Sequence, residues 1–168
     1  MKIKLIITDI DGVWTDAGMY YDNIDNELKK FNTYDSAGVL FCKMLKIPVC
    51  IISGENQNSV KRRADKLKIE HVFLGINDKV EVAKKLIEKL NIDFSEVAFI
   101  GDDINDYKLL KMVGYSAAPS SAPDYIKKIV TFSLKSKGGE GVFREFIEKI
   151  LIEMNIDVHA LIEKYYSN

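Results

Sequence analysis

Only two cysteines, Cys42 and Cys50, and two histidines, His71 and His159, occur in the 168-residue chain. Seven residues separate the cysteines, so there is no CxxC pair and no basis for a zinc site built from Cys and His. Two cysteines do not make a disulfide framework either, and both are expected as small core residues. Neither histidine belongs to a motif. Charge of one sign is lacking as well: 24 Lys and Arg stand against 25 Asp and Glu, a net charge of −1. Nucleic acid and anionic membrane, which call for a basic excess, are therefore disfavoured as partners. No apolar run approaches the roughly 18 residues of a membrane span. The opening MKIKLIITDID has an apolar stretch too short for a secretory leader and ends in acidic residues. The expectation is a soluble cytoplasmic protein, a single domain over 1–168, with 47% apolar residues to build its core.

What the chain has in quantity is aspartate. Of its 14 Asp, five sit in two short segments, Asp9/Asp11 and Asp102/Asp103/Asp106. A metal here would be held by carboxylate oxygens, which suit Mg²⁺.

Short apolar runs at 3–8, 48–52, 71–74, 97–100, 115–118 and 129–133 read as strands. Most are nearly continuous, as expected of parallel strands covered on both faces. Helical patterns lie between them at about 35–46, 56–68, 78–90, 103–113 and 122–128. Asp78 is a plausible N-cap for the third and Gly114 a natural stop for the fourth. The tail, 141–167, reads as one or two helices broken near Asn155. This alternation predicts an α/β fold, a Rossmann-like doubly wound parallel sheet. Residues 17–32 break the rhythm as two short strands around a polar turn at Asp22–Asn26. Met19, Tyr20, Tyr21, Leu28 and Phe31 give this hairpin more apolar surface than it can hide alone. Another subunit is the economical cover.

Ligands of open α/β sheets bind beyond the carboxyl ends of the strands. The first strand delivers Asp9-Ile10-Asp11-Gly12 there, the second Ser53-Gly54-Glu55, the fourth Gly101-Asp102-Asp103, and Lys79 opens the helix after the third. Carboxylates packed this closely repel one another and invite a divalent cation, with Asp9 and Asp102 as direct ligands. A cation in the first turn of a helix opposes the helix dipole, so Lys79 has a poor structural reason to be there.

DIDGVWTD, then ISG, then an isolated Lys, then GDDINDY, in that order, resembles the haloacid dehalogenase superfamily of phosphohydrolases over residues 3–150. The resemblance implies Asp9 as the nucleophile that forms an aspartyl-phosphate and Asp11 as the acid/base. It implies Mg²⁺ held by the Asp9 and Asp102 carboxylates and the Asp11 backbone carbonyl. Asp103 and Asp106 become supports, Ser53 and the Gly54 N–H hold phosphate oxygens, and Lys79 neutralises charge on the nucleophile and phosphoryl group. Thr15 stands in its usual place.

About 40 residues separate Gly12 from Ser53 and about 25 separate Ser53 from Lys79. Neither gap holds a cap domain. KFNTYDSAGV and GGEGVFRE are similar to the capless, tetrameric branch that dephosphorylates 3-deoxy-2-ulosonic sugar acids. The Gly-rich segment from Lys135 to about Glu145 could reach a neighbouring site or simply cap the last helix. Two substrates are open, 3-deoxy-D-manno-octulosonate 8-phosphate and 3-deoxy-D-glycero-D-galacto-nononate 9-phosphate. Glu55 where octulosonate enzymes usually carry Arg, followed by Lys66, leans to the nononate. Arg62, Arg63 and Lys66 could meet a sugar carboxylate or form a solvated helix face. Thr33 is a candidate substrate contact on the resemblance alone. Competing readings are a non-catalytic domain of this fold, a phosphotransferase and a phosphonatase.

Overall fold

The structure is a computed structural model that describes residues 2–24 and 26–167. Its centre is a six-stranded sheet in which every pairing is parallel: β1 (Leu5–Thr8), β4 (Val49–Ile52), β5 (His71–Phe73), β6 (Val97–Ile100), β7 (Tyr115–Ala118) and β8 (Phe132–Ser133). The spatial order is β5-β4-β1-β6-β7-β8. The chain winds outward from β1 through β4 to β5, then returns to β6 on the other side of β1. The switch in direction opens a crevice at the carboxyl ends of β1, β4 and β6.

The strands form as expected because they are buried on both faces. Leu5 and Ile7 point to one core cluster with Cys50, Ile52, Val97 and Phe99. Ile6 points to the other with Ile51, Ala98 and Ile100. The first cluster is covered by α3 (Lys79–Leu90), α4 (Tyr107–Met112) and α5 (Asp124–Lys127). The second is covered by α1 (Asp35–Met44), α2 (Asn58–Leu67) and α6 (Val142–Glu153). Trp14 is fully buried in the second cluster, 4.6 Å from the Phe143 ring, and its indole N–H donates to Thr8 Oγ1 at 2.9 Å. Such a ring pair adds about 0.5–1.5 kcal/mol beyond its burial, and it fixes the loop that follows β1. Both cysteines lie in the core, where burial pushes the Cys42 thiol up to about 12 and raises Cys50 too.

Three expectations need correction. The run 129–133 forms a ladder only at Phe132–Ser133. Thr131 instead exchanges bonds with the Ser116 side chain: its N–H donates to Ser116 Oγ at 3.1 Å, and the Ser116 N–H donates to Thr131 Oγ1 at 3.2 Å. The 103–113 helix is divided, with a 3₁₀ turn over Ile104–Asp106 before α4. Gly114 follows that helix without a left-handed φ. Its missing side chain serves close packing, since a Cβ there would sit 2.1 Å from the Ser95 carbonyl oxygen. The tail divides as expected, into α6 and α7 (Val158–Tyr166), with Asn155 at φ 54° between them.

The hairpin is short: β2 (Tyr20–Tyr21) pairs antiparallel with β3 (Glu27–Leu28). The Asp22 carboxylate closes its turn by accepting from the Ile24 and Asn26 N–H groups; Asp25 lies outside the described residues. Phe31 packs on the core, whereas Met19, Tyr20, Tyr21, Ile24 and Leu28 remain exposed. Among the described residues no helix is long and apolar enough to cross a membrane.

Candidate active site

The loop after β1 carries Asp9 to Thr15 across the crevice. Ile10 points into the core, as the alternation requires, which leaves Asp9 and Asp11 on the outer side. The Asp9 N–H donates to the Ile100 carbonyl at 3.0 Å, tying the end of β1 to the end of β6. Gly12 follows with φ +81°, where a Cβ would come 1.9 Å from Asp102 Oδ2. The glycine is required so that Asp102 can approach the β1 loop.

Lys79 is placed by the first turn of α3, which Asp78 caps by accepting from the Val80 and Glu81 N–H groups. Its ammonium is buried and lies 2.7 Å from both Asp9 Oδ1 and Asp106 Oδ1. Burial opposes its charge, but Asp9 and Asp106 outweigh that and hold its pKa above the ordinary lysine value. Burial, then repulsion from Asp106, pushes Asp9 up to about 7 against the pull of Lys79. Burial and the charges of Asp9, Asp106 and Asp103 push Asp102 up to about 8. One ammonium, that of Lys79, stands among three carboxylates, those of Asp9, Asp102 and Asp106.

Asp9, Asp102 and Asp106 place carboxylate oxygens within 4.8 Å of one another, a candidate metal cluster among the described residues. Asp106 is the least available of the three. Its Oδ1 takes Lys79, and its Oδ2 accepts from the Asp102 N–H at 2.9 Å and the Asp103 N–H at 3.3 Å. It therefore orients the Asp102 segment, and Asp9 and Asp102 are left to face a cation. An all-oxygen donor set with unrelieved negative charge fits Mg²⁺. Asp103 is exposed, accepts from the Ile104 N–H and from the Tyr125 hydroxyl, and begins the turn that carries Asp106.

A cavity of about 490 Å³ opens over this group, lined by Asp9, Asp11, Ser53, Gly54, Glu55, Asp102 and Asp103 among others. Two larger grooves lie elsewhere, but neither contains the acidic cluster. Ser53 is buried at its floor, accepts from the Glu55 N–H at 3.3 Å, and has its own backbone fixed by Phe73 and Ile76. Gly54 and Glu55 are exposed at the rim. The structure thus brings together Asp9, Asp11, Ser53, Gly54, Glu55, Lys79, Asp102, Asp103 and Asp106. Thr33 and Lys66 are exposed outside the cavity, as is Arg62. Arg63 turns to the Asn32 carbonyl at 3.2 Å and does not line the cavity.

The sequence reading missed the hairpin's contribution. Lys29 reaches back to Asp11 Oδ1 at 2.7 Å, with Glu27 at 3.5 Å, and its side chain is 1% exposed. Glu27 in turn accepts from Gln57 Nε2 at the start of α2. Glu27 and Lys29 are two apart in an extended strand and so share a face. That parity was the available signal, but Lys29-Lys30 reads like an ordinary solvated pair. The Gly-rich segment docks on its own chain: the Gly139 N–H donates to the Val13 carbonyl at 2.9 Å, and Asn32 Nδ2 donates to the Gly139 carbonyl at 3.1 Å.

Comparison with known proteins agrees with this geometry. The haloacid dehalogenase-like hydrolase family matches residues 68–146. A 3-deoxy-D-manno-octulosonate 8-phosphate phosphatase of Haemophilus influenzae is 35% identical over 89% of this chain and 83% of its own length. The crystal structure of the Moraxella catarrhalis phosphatase of the same name, in complex with magnesium ion, phosphate ion and KDO, superposes with a TM-score of 0.92. It is 32% identical over 97% of this chain and 93% of that one. The Yersinia pestis phosphatase of that name gives a TM-score of 0.87 at 35% identity, over 89% of this chain and 81% of that one.

Proposed function

The chain belongs to the haloacid dehalogenase-like hydrolases, and on that premise we propose that it hydrolyses 3-deoxy-D-manno-octulosonate 8-phosphate through an aspartyl-phosphate on Asp9. It is a phosphoric monoester hydrolase with Mg²⁺ as cofactor. The observation that carries the mechanism is the buried Lys79 ammonium held 2.7 Å from Asp9, within a cluster of Asp9, Asp102 and Asp106 oxygens that all lie within 4.8 Å of one another.

In the first step the Asp9 carboxylate attacks phosphorus as the bond to the sugar oxygen breaks. Asp11 gives its proton to that oxygen. In the second step a water attacks the phosphoryl phosphorus and loses a proton to Asp11; the bond to Asp9 breaks and inorganic phosphate leaves. Asp11 lines the cavity with one carboxylate oxygen held in place. Its Oδ1 is held by Lys29 and by the Thr15 hydroxyl at 3.2 Å, whereas its buried Oδ2 has no partner among the described residues. Ser53 and the Gly54 N–H receive phosphate oxygens at the cavity floor and rim. Lys79 favours the ionised form of Asp9 against burial and Asp106, and offsets charge on the transferring group. The Asp9 and Asp102 carboxylates and the Asp11 carbonyl would hold Mg²⁺, which supplies further charge compensation for the phosphoryl oxygens.

The relatives favour the octulosonate over the nononate to which Glu55 and Lys66 lean. Glu55 does stand at the cavity rim, so the nononate is kept as the second reading; Lys66 lies outside the cavity. The exposed outer face of the hairpin fits a neighbouring copy, in a homotetramer that would complete the rim of the site. Light scattering tests that assembly, and a monomer would overturn it.

Two measurements test the function. Asp9→Asn removes the nucleophile with little change in shape, and turnover is expected to vanish in a folded protein. Near wild-type turnover by that variant would overturn the mechanism. Among octulosonate 8-phosphate, nononate 9-phosphate and N-acetylneuraminate 9-phosphate, the first is expected to give the highest kcat/KM. A clear nononate preference would restore the reading based on Glu55.

A further inference from the structure

We infer that Lys29, delivered by the hairpin, is a positioning residue that fixes the Asp11 carboxyl in the orientation from which it serves the leaving group. The inference rests on the acid/base role proposed for Asp11. Asp11 stands on the loop after β1, and its side chain is 26% exposed. An aspartate on a loop has rotamer freedom, and proton transfer requires one of its oxygens within hydrogen-bond reach of the sugar oxygen. Two groups restrict it, and both bind the same oxygen: Lys29 Nζ at 2.7 Å and Thr15 Oγ1 at 3.2 Å from Oδ1. Oδ2 is enclosed and has no partner among the described residues, so the carboxyl is held in one orientation through Oδ1 alone.

Lys29 is itself held. Glu27 lies 3.5 Å from its ammonium and is bound by Gln57, which directly precedes α2. This chain of contacts joins the hairpin, the β1 loop and the segment following Ser53-Gly54 into one frame around the cavity. The cost of burying the Lys29 side chain is justified by such a role, since a lysine at a hairpin end would otherwise extend into water, as Lys30 does.

The test compares two phosphate esters of similar size and different leaving groups. Benzyl phosphate needs a proton on its departing oxygen; 4-nitrophenyl phosphate departs without one. Because kcat/KM reports steps up to release of the leaving group, the second half-reaction does not enter. Lys29→Met is expected to lower kcat/KM for benzyl phosphate about 10²-fold, with a loss on 4-nitrophenyl phosphate at least tenfold smaller, and Lys29→Arg is expected to recover most of the benzyl activity. Equal losses on both esters would show a merely structural lysine and overturn the inference, as would no loss on either. Asp11→Asn separates this from the underlying reading. A leaving-group-dependent loss in Asp11→Asn without one in Lys29→Met defeats the lysine's role alone. Its absence in Asp11→Asn defeats the acid/base assignment itself.

Discussion

The Lys79 ammonium lies 2.7 Å from the Asp106 carboxylate, with side-chain exposures of 1% and 0%. A buried pair of this kind is asymmetric in its energetics. Removing one partner leaves the other charge uncompensated and costs about 3–5 kcal/mol. Here the lysine serves Asp9 as well. Lys79→Met is therefore expected to lose about that much stability and nearly all turnover. Urea denaturation of the metal-free protein measures the first and phosphate release the second. Unchanged stability would mean that the carboxylates are relieved by some other group.

Magnesium should stabilise the fold in a pH-dependent way. In the metal-free protein Asp9 is pushed up to about 7 and Asp102 to about 8 by burial and mutual repulsion. For an acid whose folded pKa is raised, the stability present below the unfolded value, near 4, is lost as pH rises through the folded one. Metal-free stability is thus expected to fall between about pH 4 and pH 8. Saturating Mg²⁺ should offset the fall, because protons no longer compete for the ligands. At a hundredfold excess over Kd the gain is about 2.7 kcal/mol. Thermal unfolding with chelator and with Mg²⁺ at several pH values measures it, and Asp102→Asn should remove most of the difference. A stabilisation that shrinks with rising pH would contradict the assignment.

The parts of this site visible in the sequence are those where local pattern and topology agree. Strands covered on both faces appear as near-continuous apolar runs, so the sheet was legible, and the acidic segments fall at its carboxyl edge. Lys79 was legible because Asp78 caps the helix it opens. The same rule overextended the last strand: Ile129 and Val130 are apolar because they pack on the core, without joining a ladder. Lys29 was not legible because its partner is 18 residues away across a fold-back, and charge patterning carries no record of such a contact. Thr33 rested on resemblance alone, Lys66 on its pairing with Glu55 and on the charge run that also suggested Arg63, and none of the three lines the cavity of this chain.

Asp35 offers a separate pH test, away from the metal ligands. It is fully buried at the start of α1, accepts from the Arg144 N–H at 3.2 Å, and its Oδ2 has no partner among the described residues. Burial pushes it up to about 6. By the same sign rule, its contribution is present below about pH 4 and is lost as pH rises through about 6. Asp35→Asn, which mimics the protonated form, should gain on the wild type by about 2–3 kcal/mol between pH 4 and pH 7. Urea midpoints across that range check it. A flat difference would mean that Arg63, whose charge favours the ionised form, compensates the carboxylate fully.

The C-terminal loop and the catalytic loop are in backbone contact, which makes Gly138→Ala an informative change. A Cβ at Gly138 would lie 2.0 Å from the Gly12 carbonyl oxygen and 2.9 Å from that of Thr15. Neither is the end of a flexible side chain, so one of the two loops must move. Gly12 is also the residue against which Asp102 packs, and displacement of the β1 loop would separate Asp9 from Asp102. Gly54→Ala is the contrasting case, because its Cβ would meet Asn105 Nδ2 at an ordinary 3.6 Å, and the phosphate contact proposed there uses the backbone N–H. Gly138→Ala is expected to lower Mg²⁺ affinity and kcat by tenfold or more, since misplacement of about 1 Å at a reacting centre costs about 10²-fold. Gly54→Ala should retain Mg²⁺ affinity. Calorimetric titration with Mg²⁺ and phosphate-release kinetics distinguish them. If Gly138→Ala binds Mg²⁺ as the wild type does, the loop covers residues 12–16 without positioning them.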